Sequence, residues 1–393
     1  MMAQTWEADA GEDAVLTDGV VAWERLQERI AHRFGRVEVR TRVRRYLAGL
    51  LQRVERKNGW QLAEAIGERG PQGVQRLLNA AVWDAEAVRD DLRAYVVEHL
   101  GDAESGVLVV DETDFPKKGP ASCGVAPQYC GSMGRSANAQ VGVFLAYTAP
   151  KGLAFIDRAL YLPRSWTDDP GRCAGAGVPA GTGFAPKGTL AKQRLTRAFA
   201  ASVPARWVVA DCLYGRVHHL RRWLEAQGRA HVVGVLPGQV VAHEGRPQRA
   251  KVLVASLPAQ VWMRRSAGTG SQGERVHDWA CVPLSEEAPE GMGRWLLVRR
   301  TLHDPTDLAY FRAYGPAGTL PEELVRIAGR RWSVEEGFAQ AKGEVGLDHY
   351  EVRRWTAWYR HVTLCLLVQA YLAVVRVQAQ ERQSRATQKG GLL

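Results

Sequence analysis

Two short apolar runs, GVLVV at 106–110 and WVVA at 207–210, each end directly on an aspartate, Asp111 and Asp211. A run with no polar position suits a strand buried on both faces, as in the middle of an α/β sheet. Between and after these runs the pattern alternates. QVGVFLAYTA and GLAFIDRALYLP predict adjacent antiparallel strands joined through a Pro-Lys-Gly turn. A glycine-rich loop (AGAGVPAGTGFAPKG) leads to a basic helix, TLAKQRLTRAFAAS, and then to the strand RWVVADCLYG, the helix HHLRRWLEAQG and the strand AHVVGVLPG. The order is three strands, a helix, a strand, a helix and a strand. In an open α/β sheet the first and fourth strands can be neighbours, so their terminal aspartates would meet.

The flanks have other textures. Residues 1–20 form a loose acidic arm. Residues 21–100 are helical, with Trp23, Leu26, Ile30 and Phe34 at steps of three and four and later helices separated by Asn-Gly, Gly-Pro and Gly. From Ala22 to Asn58 eleven Arg or Lys face four Glu, a net +7 interleaved with Trp23 and Tyr46. This favours phosphate contact over a merely solvated helix face, and marks the segment as a helical DNA-binding domain. A helix-turn-helix over Asn58–Leu78 is compatible with the pattern but not specified by it. The whole chain carries 52 Lys and Arg against 42 Asp and Glu, a field that attracts polyanions. The catalytic core is expected over 101–238 and 321–350. KVLVASLP, VWMRRSAG, RVHDWACVPL, RWLLVRRTL and LAYFRAYG, between 239 and 320, predict a β-rich insertion. A C-terminal helix and flexible tail complete the chain over 351–393. The cysteines show no zinc spacing and read as reduced thiols. The N-terminus has no signal-peptide pattern. The apolar run Val362–Val375 is shorter than a membrane span, contains Gln369 and reads as a buried helix.

A third acid, Glu335, lies on the helix after the insertion. Arg331, Glu335 and Lys342 are four and then seven residues apart, displacements of about +40° and about −20° around the axis, so they share one face. Glu336 turns about 100° away, toward Trp332 and Ala339. Strand alternation sends Glu112 to the face opposite Asp111, and Asp114 is expected in the DFPKKG turn. Each acid has a plainer reading: an Asp after a strand is often a turn or cap residue, and Arg331–Glu335 is the spacing of a helical ion pair. Together, however, Asp111, Asp211 and Glu335 could hold two divalent cations roughly 3.5–4 Å apart, the arrangement that serves phosphodiester cleavage.

Arg331, Glu335 and Lys342 spell R-x3-E-x6-K, which resembles the C-terminal signature of DDE transposases of bacterial insertion sequences, in the branch with a Tyr-Arg-Glu-Lys motif. VVDETDFPKKG resembles the first-Asp motif of that group and VVADCLYG the second. GLDHYEVRRWTAWYRHVTL is similar to the continuation of the third motif in the subgroup called DDE superfamily endonucleases. The similarity runs from about Phe34 to Leu372. It implies an α/β fold with an RNase H-like mixed-sheet catalytic core and β-rich insertion, preceded by an all-α domain. It implies two Mg²⁺ ions, with Mn²⁺ as substitute, on Asp111, Asp211 and Glu335. Water and then the freed 3′-hydroxyl would be the nucleophiles. Arg331 and Lys342 carry over as DNA contacts. Lys117 and Lys118 are candidates for phosphate contact, and Trp332 for stacking on a base, with a core role as its alternative. The position three before Arg331, where the signature has Tyr, is Ala328.

The implied partners are double-stranded terminal repeats and target DNA, bound by at least a dimer in the bacterial cytoplasm near the nucleoid, with no membrane. Two other functions remain open at this point: a catalytically silent DNA-binding protein descended from a transposase, and an RNase H-like nuclease with another substrate. A dinucleotide-binding enzyme does not fit, because the glycines from Gly175 to Gly183 do not sit between a strand and a tight helix.

Overall fold

The computed structural model describes residues 18–216, 218–270 and 273–390, with side-chain detail as far as Ser384. Most of the acidic arm therefore lies outside the described residues, and its end is already helical: α1 spans 18–31. It is followed by α2 (Val37–Leu51), α3 (Gly59–Ala65), α4 (Gln72–Asn79) and α5 (Ala85–Leu100). Leu26, Ile30 and Phe34 are buried, as their spacing requires. Asn58 caps α3 by accepting the Trp60 and Gln61 N–H groups at 3.0 Å, and Asp84 caps α5.

The first apolar run becomes β1 (Val107–Pro116). Then come β2 (Ala126–Cys130), β3 (Arg135–Ala149) and β4 (Gly152–Leu160). One edge of β3 pairs with β1, and the other pairs first with β2 and then with β4, all antiparallel. Short helices α6 (Arg164–Thr167) and α7 (Pro170–Gly175) lead into the glycine-rich segment. The alternation then runs α8 (Lys187–Ala200), β5 (Trp207–Ala210), α9 (Cys212–Gly215), α10 (His218–Ala226) and β6 (Ala230–Val235). β1 is parallel to β5, and β5 to β6.

The insertion departs from expectation in two ways. KVLVASLP is not a strand: α11 (Ala250–Ala255) forms there, after the small hairpin β7 (Val240–His243) and β8 (Arg246–Arg249). Its buried residues Ala250, Leu253 and Val254 recur at helical spacing, whereas Val252 is exposed. The strands β9 (Met263–Gly270), β10 (Gly273–Pro283), β11 (Met292–Arg300) and β12 (Leu308–Pro316) do not form a separate sheet. β12 pairs antiparallel with β6, so among the described residues ten strands make one mixed sheet. Its order is β2-β3-β1-β5-β6-β12-β11-β10-β9, with β4 beside β3.

Two long helices complete the chain, α12 (Pro321–Val345) and α13 (Trp355–Gly390). The expected flexible tail is helical as far as 390, and 391–393 lie outside the described residues. Among the described helices α13 alone is long and apolar enough to cross a membrane, but 67% of that apolar window is buried inside the protein. The helices before β1 pack on α13 and β4 within the same continuous core as the sheet, so they have no separate core of their own.

α12 lies alongside β1 and β5. The Trp207 indole N–H, at the start of β5, donates to Glu323; further along, Arg331 meets Asp111, and Lys342 donates to the Asp114 carbonyl. The sheet curls so that both of its wings reach this helix: Gly337 abuts Leu153 of β4, and Gly329 abuts Ala267 of β9. A Cβ at 329 would stand 1.9 Å from the Ala267 carbonyl oxygen, a backbone atom that cannot swing aside. Gly329→Ala is therefore expected to destabilise the fold by about 1–3 kcal/mol, read as a lower denaturant midpoint. Gly337→Ala, facing only the tip of Leu153, should cost less.

Candidate active site

Val110 pairs with Ala210 in the parallel register, so Asp111 and Asp211 stand side by side where the parallel pairing ends. Asp111 continues β1 and is buried; its Oδ1 accepts the Glu112 N–H at 2.8 Å. Asp211 caps α9, accepting the N–H groups of Leu213 at 2.8 Å and Tyr214 at 3.3 Å. The plain reading of Asp211 as a cap is thus also correct, and the cap fixes where its carboxylate stands. α9 in turn sits backbone to backbone on β6: a Cβ on Gly215 would fall 1.8 Å from the Gly234 carbonyl oxygen.

Burial raises the pKa of Asp111 to about 7, reinforced by the charge of Asp211 and opposed by Arg331. Asp211 is raised by burial and then by Glu112. Arg331 lies 3.8 Å from Asp111 and 2.7 Å from Glu335. It therefore joins the helix-borne acid to the strand-borne one. Glu335 itself is exposed and faces Arg331, and among the described residues no three acidic, His or Cys side chains stand together as a metal centre. The structure brings two of the predicted acids together and places the third one arginine away.

The other candidates divide. Lys342 lies on the expected face, its ammonium 3.1 Å from the Asp114 carbonyl. Lys118 is exposed. Lys117 is not presented to solvent as a turn lysine would be. Its ammonium donates to the Tyr350 carbonyl at 3.0 Å and lies 3.6 Å from the centre of that ring, and burial lowers its pKa to about 8. Trp332 is half-buried, stacked on His277 of β10 at 5.9 Å and flanked by Arg275 and Arg299, so its ring packs within the protein. Glu336 shares that side of the helix and pairs with Arg275 at 2.7 Å. Ala328 is buried in the core. Asp114 is not in a turn: β1 continues to Pro116 because it stays paired with β3, and Asp114 is buried there, accepting from Ser132.

Glu112 does point away from Asp111, but it is not idle. It accepts the Tyr214 hydroxyl proton and pairs with Lys187 of α8 at 2.8 Å, tying β1 to α9 and α8. Tyr214 is three residues after Asp211, one helical turn, and that spacing was the available signal.

A β4-β3-β1-β5-β6 sheet with paired acids at adjacent strand ends and a late helix alongside is consistent with the RNase H-like class of nucleases. Within that class the chain belongs to the DDE superfamily endonuclease family, whose model matches residues 29–253. A second family model, the transposase DDE domain, matches 186–370. The chain is 25% identical over 321 residues to "Probable transposase for insertion sequence element IS701" of Microchaete diplosiphon, covering 78% of this chain and 75% of that protein.

The raised pKa of Asp111 has a consequence for stability without metal. An unfolded Asp ionises near 3.8, so between there and about 7 the folded chain holds the extra proton. Stability must then fall as pH rises through that window, by an amount on the order of 4 kcal/mol. In EDTA, Asp111→Asn should melt at a higher temperature than the native chain near pH 8, with the gap closing toward about pH 4.

Proposed function

We propose that this protein is a transposase of the Tyr-Arg-Glu-Lys branch. It cleaves the ends of an insertion sequence and joins the freed 3′-hydroxyls to target DNA, as at least a dimer on DNA, in the bacterial cytoplasm. The observation that carries this reading is Asp111 beside Asp211 where the parallel pairing of β1 and β5 ends, with Arg331 of α12 against Asp111 and Glu335 against Arg331. Family membership and the similarity to a probable insertion-sequence transposase support it.

The donor set suits hard divalent cations: a buried and a half-buried carboxylate that repel one another gain from a shared positive charge. In this reading Asp111, Asp211 and Glu335 hold two Mg²⁺ ions, or Mn²⁺ in their place, which would activate the nucleophile and stabilise the leaving oxygen. Glu335 joins the pair by turning from Arg331. That frees the Arg331 guanidinium for phosphate oxygens, which it can grip with two parallel N–H groups. Lys342, with donors left after its bond to the Asp114 carbonyl, and the exposed Lys118 supply further positive charge along the strand ends. Glu112, Tyr214 and Lys187 hold α9, and with it Asp211, at a fixed place beside β1.

Cleavage and strand transfer on the element's ends in Mg²⁺ test the proposal. Asp111→Ala, Asp211→Ala and Glu335→Ala should each abolish chemistry and leave DNA binding largely intact. Full activity in any of them removes that residue from the triad, and nicked but unjoined product would reduce the protein to a hydrolase. In the same assay Glu336→Gln should cost far less than Glu335→Gln, because Glu336 is paired with Arg275 on another side of the helix.

A further inference from the structure

On β12, Phe311 and Ala313 belong to the large core that includes α12, so Arg312 between them faces the opposite side of the sheet. There α10 and the residue after α9, the turn after β6, the β10–β11 loop and strands β11 and β12 line an open cavity of about 610 Å³ with five arginines and three glutamates. Two of the arginines are committed: Arg294 pairs with Glu225 at 2.7 Å, and Arg312 with Glu286. Arg216, Arg221 and Arg222 have no carboxylate within ion-pair distance among the described residues, so the more distant Glu225 and Glu286 offset that part of the wall only in part.

Two buried donors sharpen the picture. Arg221 is 8% exposed and uses Nη1 to hold the Gly215 carbonyl at the end of α9. Burial and the neighbouring Arg312 lower its pKa to about 10, against the opposing pull of Glu225 and Glu286. The Arg294 Nη1, also buried, donates to nothing among the described residues. A buried donor without an acceptor costs about 1–3 kcal/mol, and more when charged. An anion with several acceptor oxygens in the cavity would bring counter-charge to Arg221 and an acceptor toward Arg294. Arg216 lies five residues beyond Asp211, so the cavity is one short helix away from the acid pair.

We propose that this cavity is a phosphate-binding site that seats the backbone of the DNA substrate; it rests on the nuclease reading above. Phosphate is the ligand whose charge and oxygen number match clustered guanidinium forks. The source in this protein is a phosphodiester rather than free phosphate, because Arg216 follows Asp211, one of the acids that would cut one, by a single short helix.

The test uses the full chain and a labelled random-sequence duplex, with affinity followed against salt. Arg216 and Arg222 are both exposed, so the double variant Arg216→Ala, Arg222→Ala should fold normally. It should bind more weakly, and its salt slope should fall in magnitude by about 1.8, about 0.9 for each lost phosphate contact. Glu287→Gln should shift affinity the other way. Unchanged affinity and slope in the double variant overturn the proposal. So does thermal stabilisation by inorganic phosphate that the double variant loses while its duplex binding stays native, because the pocket would then take free phosphate. End cleavage by the native chain is measured in parallel. If the native chain nicks and the double variant binds DNA normally, this site alone fails; if the native chain does not nick, the proposed function fails.

Discussion

Four residues of parallel pairing, Val107–Val110 against Trp207–Ala210, determine what the rest of this protein has to do. Parallel neighbours cannot be joined by a tight turn, so the chain must leave and return by a long crossover, and it does so through β3, β4 and α8. Because Asp111 and Asp211 follow the last parallel pair in register, two acids are forced together in a poorly solvated place. The protein bears that repulsion rather than avoiding it. Arg331 offsets part of it, the α9 N–H groups offset more at Asp211, and a proton remains on Asp111 to about neutral pH.

A second buried charge explains why the N-terminal helices share the core. Asp157 on β4 is 2% exposed and is held by Arg197 of α8 through two bonds of 2.9 Å, with Arg89 of α5 and Arg194 of α8 also in ion-pair range. These guanidiniums hold its pKa below the usual carboxylate value although burial pushes the other way. Its neighbour Arg158, fully buried, donates to Thr363 of α13 at 2.9 Å and to the Ala85 carbonyl of α5. Two adjacent strand positions therefore tie the N-terminal helices, the crossover and the C-terminal helix to each other. Breaking such a cluster by removing one partner costs about 3–5 kcal/mol, whereas the intact cluster need contribute little net stability.

What was legible in the sequence was mostly local. Unbroken apolar runs marked β1 and β5, and their terminal aspartates needed only the element order to be brought together. Helical spacing placed Arg331, Glu335 and Lys342 on the side facing β1 and set Glu336 apart toward β10. The misreadings share a cause, which is that distant partners decide them. Val252–Val254 looks like a strand until Leu253 and Val254 bury on the same side as Ala250. The DFP segment looks like a turn until β3 pairs along it, and Lys117 looks exposed until Tyr350 arrives from the far end of the chain. The insertion joined the sheet because β6 had an unpaired edge, which no residue within 239–320 could announce.

The close seating of α12 against β9 sets a tolerance for the site. Glu335 follows Gly329 by six residues, about 9 Å of helix axis. A tilt of about 5° about that contact would carry its anchor about 0.8 Å, beyond the roughly 0.5 Å within which a reacting constellation has to be held. In the proposed site the far wing of the sheet, remote from both aspartates in strand order, would work as the bearing on which Glu335 is aligned.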